Sequence, residues 1–112
     1  MAAYREIEDV KASPQYANSG PPGWGFLLWS NSLYDEPHRP LLERFAEQHP
    51  ECALSLPEHY SGEGCIEGSM TWQSNFIWVW YENVLTHLWL WSADRGAIQS
   101  LRTALLPFAQ AA

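Results

Sequence analysis

Metal-binding residue types crowd one stretch of this chain: His49, Cys52, His59 and Cys65. His49-Pro-Glu-Cys52 has a tight ligand-pair spacing, and thiolate and imidazole both suit zinc. His59 and Cys65, separated by five residues, straddle a polar loop and the start of a strand. The reading is therefore of surface histidines and small buried thiols, with no metal and no cofactor. His87 with Glu67 or Ser69 would be an acid–base or nucleophile pair. In the strand register derived below, Thr71 and Trp78 stand between them, so His87 reads instead as a packing residue stacked against Trp78. The chain has no nucleophile elbow, phosphate loop, dinucleotide fingerprint or HExxH helix, and no catalytic residues are expected.

What must position these side chains is the run Phe76 to Trp91, FIWVWYENVLTHLWLW, two β-prone segments meeting at Glu82-Asn83. A two-residue turn there pairs Tyr81 with Val84, Val79 with Thr86 and Ile77 with Leu88. Side chains alternate between faces. One face then carries Ile77, Val79, Tyr81, Val84, Leu88 and Leu90; the other carries Phe76, Trp78, Trp80, Leu85, His87, Trp89 and Trp91. A preceding strand over Cys65 to Gln73, joined by a turn at Ser74-Asn75, sets Thr71 opposite Trp78 and Ser69 opposite Trp80. It adds Met70 and Trp72 to the aliphatic face, and Glu67, Ser69 and Thr71 to the aromatic one.

Elsewhere, Gly25 to Ser30 has strand length. Tyr4 to Ala12 carries Tyr4, Ile7 and Val10 at a helical spacing, and Ala53 to Leu56 is a short strand candidate. Asp35 to His49 reads as a helix with Asp35 or Glu36 at its start, Pro37 and Pro40 in its first turn and Pro50 beyond it. The clearest helix follows Ser92 as N-cap. Its single apolar stripe is Ala97, Ile98, Leu101, Ala104, Leu105 and Phe108, and Pro107 disturbs its end. The expected architecture is a single α+β domain over residues 1–112, frayed at 1–3 and 110–112. It has an antiparallel β-meander of four to five strands packed on one face by two helices.

The helices should cover the aliphatic face. The aromatic face is then either sheathed by the N-terminal segment around Tyr16, Trp24 and Phe26 or left as a patch for a partner. Charge bears on which partner. The net charge is −7, yet Phe45 to Asp94 holds seven acids and no Lys or Arg, while the remainder balances six acids against six bases. That argues against nucleic acid, which needs a basic patch. It favours a cationic protein partner. No apolar run is long enough to span a membrane and the N-terminus has no apolar signal core, so a cytoplasmic protein without membrane contact is expected.

Together these features favour a small protein-binding module, an immunity or antitoxin-type inhibitor that neutralises a basic toxin enzyme. Its contact residues would be Glu58, Glu63, Glu67, Trp78, Trp80, His87 and Trp89. The alternatives are a small enzyme or ligand-binding domain with a pocket on the aromatic face using Glu67 and His87, and a homodimer joined through that face. Flat tryptophans beside Glu, Ser and Thr also suit a sugar platform, which ranks below protein binding because the chain ends in a strong helix.

Overall fold

A computed structural model describes residues 4–13, 23–30, 37–58, 65–82 and 87–111, with the side chains of Ser13 and Cys65 outside that description. Its elements are β1 (Tyr4–Ile7), β2 (Lys11–Ser13), β3 (Gly23–Ser30), α1 (His38–Gln48), β4 (Cys65–Trp72), β5 (Asn75–Glu82), β6 (His87–Ser92) and α2 (Arg95–Ala111). They build one six-stranded antiparallel sheet in the order β1-β3-β6-β5-β4, with β2 beside β1 along the same edge of β3. The α+β meander with two helices on one face is as expected, with six strands in place of four to five.

The β-branched and aromatic residues of β5 and β6 suit a pleated surface. Both expected registers shift, however. Tyr81 faces Leu88 instead of Val84, four residues further on, and Val79 faces Leu90. Thr71 faces Phe76 instead of Trp78, two residues away, because the β4–β5 turn sits at Gln73-Ser74. Both turn residues have positive φ, 50° and 65°, the mirror-image geometry that matches strand twist in a two-residue hairpin. Since both slips are even, the described residues of β4, β5 and β6 keep their expected faces.

The aliphatic face is the core. Phe26, Leu28, Met70, Ile77, Val79, Tyr81, Leu88 and Leu90 pack there against Leu41, Leu42 and Phe45 of α1 and Ile98, Leu101 and Leu105 of α2. Each fully buried aliphatic or Phe side chain contributes roughly 1.5–3 kcal/mol. Trp24 also packs against this core, with the Arg95 guanidinium over its ring at 5.1 Å. The expectation that Trp24 and Phe26 sheathe the aromatic face is thus corrected: both turn the other way. Tyr16 lies outside the described residues.

Three local readings are also corrected. Tyr4 to Ala12 is no helix but two strands, broken around Glu8 to Val10. A register irregularity between Tyr4 and Glu6 lets Tyr4 and Ile7 both reach the core side despite their odd spacing. Ala53 to Leu56 contributes only an isolated bridge from Ser55 to Ser69, after a 3-10 turn at Pro50–Cys52. In α2, Asp94 and not Ser92 caps the helix: the Ala97 amide donates to Asp94 Oδ2 at 2.8 Å, while Ser92 Oγ accepts from the Asp94 amide. Pro107 sits inside α2 without ending it; Leu105 and Ala109 on either side are 1% exposed, so packing holds the final turn. α1 begins at His38 with Pro37 before it and no side-chain cap. Asp35 and Glu36 lie outside the described residues.

Candidate functional site

Both described helices pack on the aliphatic face, so the other face of the sheet is the candidate site. Alternation lays its side chains in rows. Glu67, Ser69 and Thr71 of β4 stand beside Trp80, Trp78 and Phe76 of β5, and Trp80 and Trp78 stand beside Trp89 and Trp91 of β6. Gly25, Leu27 and Trp29 of β3 lie opposite Trp91, Trp89 and His87. Gly25 is required by this packing: a Cβ there would stand 2.8 Å from Trp91 Cβ and 2.9 Å from Trp89 Nε1.

Three of these tryptophans form a continuous stack. Trp89 and Trp91 stack at 4.2 Å, Trp78 and Trp91 at 5.9 Å, and Phe76 meets Trp78 edge-on at 4.5 Å. Burial is greatest on β6 and falls toward the β4 edge. Trp91 is fully buried and Trp89 and His87 are 5% exposed, Trp78 and Trp80 are half-buried, and Phe76 is 50% exposed. Among the described residues Phe76 is the large apolar side chain most open to solvent.

Carboxylates border the aromatic rings. Glu8 Oε2 accepts from Trp29 Nε1 at 2.8 Å, and its other oxygen pairs with Lys11 Nζ at 2.7 Å. Glu82 Oε1 accepts from Trp80 Nε1 at 3.3 Å, and Glu67 is exposed opposite Trp80. Burial pushes the Glu8 carboxyl up, but the hydrogen bonds from Lys11 and Trp29 outweigh it and leave the group below its ordinary value. Burial pushes His87 below the ordinary histidine value, against the opposing pull of Glu82 and Glu8. His87 is therefore held neutral. It meets Trp29 edge-on at 5.2 Å and not Trp78, a consequence of the four-residue register slip.

The expected contact residues thus divide. Trp78, Trp80 and Glu67 share the accessible part of the face. His87 and Trp89 share the face but lie beneath its surface, supporting their neighbours. Glu58 is exposed elsewhere, one residue beyond Pro57, whose carbonyl accepts from Arg39 of α1 at 2.7 Å. Glu63 lies outside the described residues.

Catalytic pairing of Glu67 with His87 has no geometry behind it. β5 lies between their strands, and Glu67 faces Trp80 while His87 faces Glu82. Two strand spacings alone separate them by about 9.5 Å. The His49 imidazole packs on Phe45 at 4.6 Å and contacts Glu51 at 3.3 Å, and burial pushes the Cys52 thiol up, away from thiolate character. His59 lies outside the described residues. No three of His, Cys, Asp and Glu gather into a metal-binding group among the described residues.

One buried polar cluster was not anticipated. His38, 1% exposed, lies between Tyr4 and Tyr81 with both ring centroids 5.5 Å away, and its Nδ1 is 2.8 Å from the Tyr4 hydroxyl. Burial lowers its pKa to about 3 and raises that of Tyr4. Only its place in an amphipathic helix could have signalled this, through its spacing to Leu41, Leu42 and Phe45.

No helix of the described residues is long and apolar enough to cross a membrane. Comparison with protein-family models, with curated proteins and with solved structures gave no match.

Proposed function

We propose that this chain is a protein-binding module whose aromatic sheet face holds a basic protein. The reading rests on one observation: the partly exposed row of Phe76, Trp78 and Trp80, beside Glu67, Ser69 and Thr71, on the sheet face opposite both helices. Half-buried tryptophans supply large contact area at low entropic cost and dominate interface energetics. The charge pattern selects the partner. Glu67 is exposed on this face and Glu82 bonds Trp80 at its edge, within a segment, Phe45 to Asp94, that carries seven acids and no Lys or Arg, which favours a cationic surface. Within this class the reading extends to an immunity or antitoxin-type inhibitor, whose partner is a basic enzyme that loses activity on binding.

The test uses tagged wild-type chain and a double variant, Phe76→Ala with Glu67→Lys, each passed over a lysate of the native organism at low and moderate salt. The reading expects one basic protein on the wild type, reduced by salt and absent from the variant. The purified partner should then bind in titration and, if an enzyme, be inhibited. Equal capture by both chains, or no capture by either, overturns it.

A further inference from the structure

A second surface lies on the helix side of the sheet. We propose that the open groove between α1 and the chain that follows it takes a short basic, amphipathic segment of a partner protein. The groove has a volume of about 790 Å³. One wall is a single face of α1, where Arg39, Glu43 and Glu47 recur at helical spacing. The apolar floor and opposite wall come from Ala46, Pro50, Ala53, Leu54 and Leu56.

The opposite wall is built and held in place. Ser55 exchanges two backbone hydrogen bonds with Ser69 of β4, at 2.8 and 2.9 Å. Ala53 takes a left-handed conformation, φ 48°, and Arg39 fastens the wall's end by donating to the Pro57 carbonyl. Gly68 permits the close approach of the wall to the sheet, since a Cβ there would lie 2.5 Å from the Ser55 carbonyl oxygen and 2.7 Å from Leu56 Cδ2.

Three facts define the occupant. The groove is open and its floor is apolar, which suits a ligand with a continuous apolar edge. Its charge is net acidic: the carboxylates of Glu43 and Glu47 outnumber the one guanidinium, Arg39, which is turned to the Pro57 carbonyl, and Glu51 and Glu58 are exposed in the wall segment or just past it. Arg39 to Glu47 spans eight helical steps, about 12 Å, which matches about four extended residues. A segment alternating aliphatic and Lys or Arg residues meets all three.

The probe is a fluorescein-labelled octapeptide of alternating Leu and Lys, titrated by anisotropy at low salt. Leu–Glu and Ser–Lys peptides of equal length are the comparators. We expect saturable Leu–Lys binding, about tenfold or more weaker for both comparators. Glu43→Lys with Glu47→Lys should lose the same factor, while Phe76→Ala with Glu67→Lys should bind as wild type. Absence of saturable binding, equal binding of Ser–Lys, or an unchanged Glu43/Glu47 variant overturns the proposal. Loss in the Phe76/Glu67 variant alone would place the peptide on the sheet face, overturning this proposal while leaving the proposed function standing.

Discussion

Acidification should destabilise this fold through His38, and the size of the effect follows from its burial. The imidazole has a folded-state pKa of about 3 against an ordinary 6.5, because burial penalises its charged form. A depressed histidine value means that the unfolded chain binds the extra proton first. Stability is therefore complete above pH 6.5 and is lost as the pH falls toward 3. At pH 4.5 the difference amounts to roughly 3 kcal/mol. His87, also depressed by burial, and Glu8, held below its ordinary value, add losses of the same sign on acidification. Relief of repulsion in a chain of net charge −7 opposes them. Comparison with His38→Phe isolates the one contribution. Phe keeps a ring between Tyr4 and Tyr81 and cannot titrate, while leaving the Tyr4 hydroxyl without its partner at a cost of about 1–3 kcal/mol. Urea unfolding followed by tryptophan fluorescence, from pH 7 to 4.5, should show wild type losing roughly 3 kcal/mol more than the variant. Parallel stability curves for the two chains would refute the reasoning.

Three further outcomes follow from single contacts. Ser74→Gly should stabilise the chain by about 1 kcal/mol, because φ of 65° penalises a side chain; an unchanged denaturation midpoint would contradict the turn geometry. Gly25→Ala should destabilise by about 1–3 kcal/mol through overpacking against Trp89 and Trp91, with a shifted tryptophan emission maximum, and a neutral substitution would disprove the close approach. Arg102→Met should cost about 1–3 kcal/mol, since Arg102 donates to the Ile7 and Glu8 carbonyls at the break between β1 and β2. Hydrogen exchange should accelerate there first, and uniform protection would argue against this role.

The two faces of the central hairpin were legible because alternation survives any even slip, and the register errors of four and two residues were both even. The registers themselves were not. Gln73-Ser74 adopts a turn that usually calls for Asn or Gly, so composition gave no mark of its place. Tyr4, Ile7 and Val10 mimicked a helix because an irregular, broken edge strand resets the alternation. β3, GWGFLLWS, is apolar on both faces, so nothing in it said that Phe26 faces the core while Leu27 and Trp29 face the other way. The composition of the aromatic face was readable, but its gradient of burial was not. That gradient depends on β3 joining β6, a pairing between residues distant in sequence. The groove beside α1 escaped for the same reason, as it requires Gly68 to admit the Leu56 segment.

The central claim is that the row of Phe76, Trp78 and Trp80 with Glu67 serves recognition and not stability. The most direct test measures both properties in one pair of chains, wild type and Phe76→Ala with Glu67→Lys. Both side chains are exposed, so unfolding free energies should agree within about 1 kcal/mol, while capture of a basic protein from lysate of the native organism should be lost. A variant that captures the same protein as well as wild type would contradict the claim, as would one that unfolds several kcal/mol more easily.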